Sequence, residues 1–240
     1  MISRINILYI FAFLQAFSVT HKIMAQEVDP YDIINKVKAV TDQIKDYTAD
    51  VEIEVDVDFI NIPVKHASIY FKAPDKVKFK SDDFFMIPKR AINNSFRKLL
   101  NSEYSAIYTG NEIIDKKDYT IVKIIPLEKK SDIILATLWI DTVNYTISRI
   151  ESNTRNDGTY NIDFVYNDPR IPLPSIMQIS FEIGKMRIPL KFIGKSSGVD
   201  MEELKTEGKQ KGSVYLRFSN YEVNSFLNDS IFIEDDNDLE

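Results

Sequence analysis

An unbroken alternation of acidic and apolar residues places the strongest constraint on how this chain folds. In the stretch DVEIEVDVDFI, residues 50–60, one parity is acidic and the other is apolar. The apolar parity consists of Val51, Ile53, Val55, Val57 and Phe59. Successive side chains of a β-strand point to opposite faces of a sheet, so the pattern predicts a strand with one face in water and one against apolar groups.

The first 25 residues predict a cleaved secretory signal peptide. Arg4 supplies the positive start, residues 5–17 are almost entirely apolar, and Ala25 is a small residue at the expected cleavage site. The alternative is an uncleaved anchor, although the apolar run is shorter than the roughly 20 residues that span a bilayer. The mature protein is therefore expected to be soluble outside the cytoplasm.

The charge and cysteine content exclude several classes of partner. Cleavage after Ala25 removes two of the 30 basic residues and none of the 36 acidic ones, which leaves a net charge of −8. Binding to nucleic acid needs clustered Lys and Arg, so no nucleic-acid partner is expected. The chain has no cysteine, so it forms no disulfide and carries no acylated N-terminal cysteine.

Periodicity along residues 26–228 predicts a single α+β domain. Asp29 and Pro30 begin an amphipathic helix over about 30–46, and a loop and second helix are expected near 89–101. Lysines alternate with apolar residues in 76–80, and we expect them to pair with the acidic strand across the sheet. The predicted strands are 48–60, 64–72, 76–80, 104–109, 112–115, 119–126, 133–141, 145–153, 159–167, 176–183, 187–193 and 213–223. A surface loop over 194–212 and an acidic, flexible tail over 229–240 complete the chain.

No catalytic or metal-binding pattern withstands inspection. Residues 194–198 read G-x-S-x-G, but a hydrolase of that type needs a His after the Ser, and the sequence has none there. His66 is the only histidine outside the signal peptide, and we expect it to be a sheet-surface residue. The acidic pair Asp56 and Asp58 lies on a straight strand, which does not supply the six to eight oxygens that calcium takes. The sequence therefore predicts a protein that is not an enzyme and has no cofactor.

Four groups of residues, in order along 29–225, resemble the LolA-type family of periplasmic lipoprotein carriers. They are Tyr47-Thr48-Ala49-Asp50 before the first strand, Lys72-Ala73-Pro74-Asp75-Lys76 at a turn, Leu138-Trp139-Ile140-Asp141 with Ile147-Ser148-Arg149-Ile150 in a hairpin, and Phe218-Ser219-Asn220-Tyr221-Glu222-Val223-Asn224 near the end. The resemblance implies an incomplete β-barrel, formed by a curved antiparallel sheet and covered on one face by helices. It also implies an apolar cavity that holds acyl chains.

The expected function is a non-enzymatic periplasmic carrier in outer-membrane lipoprotein sorting, binding a lipid or an acylated lipoprotein. It would act as a monomer and meet partner proteins at the inner and outer membranes. An envelope sensor or partner-binding domain on the same fold is the alternative, and the residues alone also fit a filled core. The residues expected to line the cavity are Val51, Ile53, Val55, Val57, Phe59, Ile69, Phe71, Val77, Phe79, Phe84, Phe85, Ile92, Phe96 and Leu99.

Overall fold

The computed structural model describes residues 28–57, 63–81, 95–156, 158–168, 170–182 and 211–233, apart from the side chains of Ser95, Phe96 and Lys98. The helices are α1 (Pro30–Thr41), α2 (Ser95–Asn101) and a terminal 3-10 helix (Asp229–Phe232). The strands are β1 (Asp46–Asp56), β2 (Lys65–Lys72), β3 (Lys76–Lys80), β4 (Tyr104–Ile114), β5 (Lys117–Pro126), β6 (Ile133–Asp141), β7 (Thr146–Thr154), β8 (Thr159–Val165), β9 (Ile176–Glu182) and β10 (Lys211–Val223). The predicted signal peptide, most of the 194–212 loop and the strand expected at 187–193 lie outside the described residues.

The ten described strands form one antiparallel sheet in the order β3-β2-β1-β10-β9-β8-β7-β6-β5-β4. Among the described strands, only the connection from β3 to β4 is a crossover, and these two strands lie at the two edges of the sheet. No hydrogen bonds join these two edges in the described residues, so the sheet is not closed into a barrel. The α+β class and the antiparallel sheet agree with the prediction. None of the helices in the described ranges is long and apolar enough to cross a membrane.

The first helix ends earlier than its apolar spacing predicts. Asp29 accepts a hydrogen bond from the Tyr31 backbone N–H, which starts α1 as expected, but α1 stops at Thr41 rather than near 46. Tyr47 fits the helical spacing and nevertheless belongs to β1, where it pairs with Phe71 on one side. Ladder pairing on both sides of β1 fixes the extended conformation of this residue and overrides the helical period.

A second correction concerns Gly110, which the sequence placed in a turn between two short strands. β4 continues through this glycine as one strand of 11 residues, paired with β5 along its length. The register shifts between Tyr108 and Gly110, and Gly110 has a φ of +125°, a value that L side chains rarely adopt. The glycine therefore marks a β-bulge, and the extra residue is absorbed without ending the strand.

One side of the sheet is here called the inner face. Its apolar side chains form the core together with side chains of the helices. The inner face bears Val51 and the residues of the same parity on neighbouring strands. One contiguous cluster joins Ile34 of α1 and Leu99 of α2 to Leu138 and Leu216 of the sheet, and all four are buried. Burial of each such side chain contributes about 1.5–3 kcal/mol.

Contacts of the two helices show that the sheet is curved. Tyr31 of α1 stacks on Tyr104 of β4 with ring centroids 6.0 Å apart. The guanidinium of Arg97 on α2 lies 5.1 Å from the ring centroid of Phe71 on β2. In a flat sheet β2 and β4, eight strand spacings apart, would be separated by about 38 Å. Because α1 has 12 residues and a length of about 18 Å, the strands must curl toward the helices.

The outer face carries the acidic parity of β1, and its ion pairs differ from the predicted ones. Glu52 and Glu54 contact Arg217 of β10 at 3.0 and 2.7 Å. The lysines of 76–80 lie on β3, and the outer residues of β2 separate them from the acidic row. The expected pairing of that lysine row with β1 is therefore wrong, because strand order rather than sequence proximity decides which charges meet.

The first residues of the predicted acidic tail form the 3-10 helix Asp229–Phe232 beside β3. Asp229 contacts Lys72 of β2 at 2.8 Å and Lys76 of β3 at 3.1 Å. The lysine Nζ of Lys78 donates a hydrogen bond to the carbonyl oxygen of Ile233 at 3.1 Å. The remainder of the tail, 234–240, lies outside the described residues.

Candidate ligand-binding face

The apolar parity of β1 faces the interior, as the opening alternation predicts. Val51, Ile53 and Val57 are buried, and Val55 is partly buried. Val51 and Ile53 belong to the contiguous core cluster, and Val55 packs against it. Phe59, the last residue of the predicted row, lies outside the described residues.

The predicted cavity residues of β2 and β3 also lie on the inner face. Ile69 pairs with Ala49 of β1 on one side and with Phe79 of β3 on the other. Phe71 pairs with Val77 on β3. Ile69 and Phe71 are buried, whereas Val77 and Phe79 remain partly exposed at the edge of the sheet. Ile69 and Phe71 are not part of the contiguous cluster, whereas their neighbour Phe79 packs against it.

The helical residues of the predicted set can be followed only in part. Leu99 of α2 is buried in the core cluster, beside the sheet residues. Phe84, Phe85 and Ile92 lie outside the described residues, and so does the side chain of Phe96.

Several inner-face residues of the later strands complete a surface that the sequence prediction missed. Tyr160 and Phe164 on β8, Met177 on β9 and Phe218 on β10 are partly buried and pack against the core cluster. Phe218 lies directly opposite Val51, in register with the predicted row. The alternation in TYNIDFV and IMQISFE carried the same signal as that of β1, although polar residues interrupt it. The inner face is thus predominantly apolar from β3 to β4, with Thr120 and Ser152 as buried polar side chains on it.

One end of the inner face contains an aromatic group at the start of β1. The Tyr47 ring lies 5.1 Å from that of Phe71 and 5.5 Å from that of Tyr221, by centroid. Phe218 stacks on Tyr221 at 6.0 Å, and the Tyr221 hydroxyl donates to the carbonyl oxygen of Pro174 at 2.8 Å. The guanidinium of Arg97 packs against this aromatic group.

Arg97 places a buried positive charge beside this aromatic group. Its side chain is 10% exposed, and its Nη2 atom donates a hydrogen bond to the carbonyl oxygen of Thr41 at the end of α1. Burial lowers the pKa of Arg97 and raises the pKa of Tyr47 to about 12. An arginine stays charged and a tyrosine with that pKa stays neutral at physiological pH, so the pair offers N–H and O–H donors rather than a general base.

His66 is exposed on the outer face, opposite Glu52 in register, as expected for a sheet-surface residue. No group of three or more His, Cys, Asp or Glu side chains in the described ranges has the arrangement of a metal site. The Gly194–Gly198 stretch lies outside those ranges.

Comparison with solved structures identifies the fold. A DUF1329 family protein from Desulfovibrio piger matches 86% of this chain and 98% of its own length, with a TM-score of 0.60 and 13% identity. A domain assigned to outer membrane lipoprotein sorting, from Vibrio parahaemolyticus, covers 85% of this chain and 97% of its own, with a TM-score of 0.52 and 11% identity. A LolA superfamily protein from Nitrosomonas europaea covers 86% and 98%, with a TM-score of 0.52 and 13% identity.

The chain therefore has a LolA-like fold, in agreement with the resemblance found in its sequence. Sequence comparison adds nothing further, since neither protein-family models nor curated proteins match it. At 11–13% identity the structural neighbours establish the architecture only.

Proposed function

We propose that this protein is a non-enzymatic carrier that binds a lipid, or the acyl chains of a lipoprotein, on the inner face of its curved sheet. One observation carries the proposal: the inner face is predominantly apolar, and at the β1–β3 arm Val55, Val77 and Phe79 remain partly exposed. An acyl chain on this arm would bury its own surface and that of these side chains. Each CH₂ group moved out of water contributes about 0.8 kcal/mol.

The helices would form the movable cover of this half-barrel. Beside the buried Leu99 and Leu100, few polar contacts among the described residues hold α2. Arg97 reaches Thr41 and Phe71, and the Leu100 carbonyl accepts a hydrogen bond from Lys38 of α1 at 2.9 Å. Displacement of a seven-residue helix held by so few polar contacts is the least costly way to admit a chain to the β1–β3 arm. The remaining predicted lining residues, Phe59, Phe84, Phe85, Ile92 and Phe96, belong to the same proposal.

The proposed setting is the periplasm, and the proposed role is outer-membrane lipoprotein sorting. The signal-peptide pattern of residues 1–25 supports the location, and the fold shared with a lipoprotein-sorting domain supports the role. The protein would take up its cargo at the inner membrane and deliver it at the outer membrane.

Lipid binding can be tested by displacement of the neutral fluorescent probe N-phenyl-1-naphthylamine. The Phe79→Asp variant places a carboxylate on the inner face at a partly exposed position and is expected to weaken lipid binding about tenfold or more. Lys78→Asp is the matched control, because Lys78 is the adjacent residue and points to the outer face. Binding that is equal in both variants would contradict the assignment of this arm.

Native mass spectrometry of protein purified from the cell envelope tests the function as a whole. We expect acylated species to accompany the protein. A stoichiometric protein partner without lipid would support the alternative, a partner-binding domain on the same fold.

A further inference from the structure

Arg97 has donor groups that the described structure does not use. Its Nη2 atom donates to the Thr41 carbonyl oxygen. The nearest carboxylate among the described residues, Asp42 Oδ1, is 3.9 Å from Nη2 and therefore beyond hydrogen-bond distance. Within the described ranges, Nε and Nη1 of Arg97 have no hydrogen-bond acceptor. Asp42 is itself 56% exposed, so water screens much of its effect on the buried guanidinium.

A second potential donor, the Tyr47 hydroxyl, interacts electrostatically with this guanidinium, and both side chains contact the Phe71 ring. The Tyr47 ring is 5.1 Å from the ring of Phe71, and the Arg97 guanidinium is 5.1 Å from that same ring. The Tyr47 hydroxyl likewise has no hydrogen-bond partner among the residues that the structure describes. Burial keeps this hydroxyl protonated, because it raises the pKa of Tyr47 to about 12.

We propose that Arg97 and Tyr47 bind the oxyanion head group, a carboxylate or a phosphate, of an amphiphile whose chain lies along the inner face. The proposal rests on the proposed function and names the class of its ligand. An oxyanion would accept hydrogen bonds from the unused guanidinium donors and the hydroxyl, and bonds between charged groups are about twice as strong as neutral ones. It would also neutralise a charge that is costly to keep away from water.

The position of the two residues suits a head group. Tyr47 begins the inner parity of β1, and Val57, ten residues later, ends the described part of that parity, a distance of about 33 Å along the strand. Ala49, Val51 and Ile53 follow Tyr47 on the same face, so a chain attached to a head group at Arg97 would pass over apolar side chains only.

The test compares charged and neutral ligands of equal chain length. Oleate, oleoyl lysophosphatidate and oleyl alcohol each displace N-phenyl-1-naphthylamine from the wild-type protein and from Arg97→Gln, Arg97→Lys and Tyr47→Phe. We expect wild-type protein to bind an anionic ligand at least tenfold more tightly than the alcohol. Arg97→Gln should remove this preference without weakening alcohol binding, Arg97→Lys should keep part of it, and Tyr47→Phe should reduce it. The anion bound more tightly identifies the head group.

Arg97 also caps α1, so its replacement affects folding as well as binding. Two further variants separate these effects. Lys38→Met removes the other hydrogen bond between the helices and leaves the Arg97 guanidinium in place. This variant should therefore prefer anionic ligands as strongly as the wild-type protein does. Tyr47→Phe keeps the ring in its packing and tests the site without touching Arg97. Equal wild-type affinity for anionic and neutral ligands would overturn this inference and leave the proposed carrier function standing. Failure of all three ligands to bind would overturn both.

Discussion

Lys38 and Arg97 cap each other's helices. Nζ of Lys38, on α1, donates a hydrogen bond to the carbonyl oxygen of Leu100 near the end of α2, at 2.9 Å. Nη2 of Arg97, on α2, donates to the carbonyl oxygen of Thr41, the last residue of α1. The final carbonyls of a helix have no partner within it and carry the negative end of its dipole, so each cation meets a favourable site. This reciprocal arrangement is the polar part of the contact between α1 and α2.

Loss of one of these caps should lower stability measurably. We expect Lys38→Met to reduce the free energy of unfolding by about 1 kcal/mol, since it leaves a partly buried carbonyl without a charged donor. Urea denaturation followed by circular dichroism measures the change. Lys36→Met is the control on the same helix, because Lys36 pairs with the exposed Asp32 and should contribute less. Equal losses of unfolding free energy in the two variants would show that the hydrogen bond from Lys38 to Leu100 contributes no more to stability than the exposed ion pair does.

The inner face is closely packed around Gly212 of β10. A Cβ atom at this position would lie 2.8 Å from Cγ2 of Val57 and 2.9 Å from Cε2 of Phe181. We therefore expect Gly212→Ala to cost about 1–3 kcal/mol of unfolding free energy through overpacking. The neighbouring variant Ser213→Ala changes the outer face and should cost less. An alanine at 212 that leaves the denaturation midpoint unchanged would mean that Val57 and Phe181 can move apart at little cost.

The alternation of acidic and apolar residues in β1 was the basis of the most successful structural prediction. It correctly placed Val51 and Ile53 inside and Glu52 outside, because a two-residue period needs no tertiary information to be read. The end of α1 was mispredicted because Tyr47 satisfies both a helical and a strand pattern. Its pairing with Phe71 decides between them, and that pairing joins residues that only folding brings together.

The proposed head-group site could not be predicted from the sequence for the same reason, because its residues come together only on folding. Arg97 was recognised as part of a helix, but its partners, Thr41 and Phe71, are 56 and 26 residues away along the chain. Short motifs carry no information about where a long, flexible side chain will end. Gly110 shows the converse, since its neighbours have the composition of a turn while the register with β5 makes it a bulge.

Asp141 makes folding stability depend on pH in the acid range. It is buried, and burial alone would raise its pKa, but hydrogen bonds from Lys117 at 2.7 Å, from the Val143 backbone and from Asn144 outweigh that effect. The pKa of Asp141 therefore lies below its ordinary value of 3.8. A carboxyl whose pKa is lower in the folded state stabilises the fold above its unfolded pKa, and this contribution is lost as the pH falls through the folded value.

We expect Asp141→Asn to lower the unfolding free energy at pH 7 by about 1–3 kcal/mol, because the amide cannot accept all three hydrogen bonds. The variant should also lose less stability than the wild type between pH 4 and the lowered pKa of Asp141. Denaturation at a series of pH values measures both effects, with Glu222→Gln on an exposed strand end as the control. Parallel pH profiles for wild type and Asp141→Asn would assign the acid sensitivity to other carboxylates.

The lysines of β2 and β3 hold the C-terminal 3-10 helix by exposed charges. Asp229 contacts Lys72 and Lys76, which lowers the pKa of Asp229, and all three side chains are substantially exposed. We expect Asp229→Asn to speed hydrogen exchange at residues 228–233 and to leave β6 and β7 unchanged. Salt at 0.5 M should have the same effect on the wild type and little further effect on the variant, since screening acts on solvent-exposed pairs.

Asp168→Asn is the control, because it removes another exposed pair, the one with Arg170, and should not affect the segment. If neither salt nor Asp229→Asn changes its exchange, the hydrogen bond from Lys72 to the Leu227 carbonyl oxygen, rather than charge pairing, holds the segment in place.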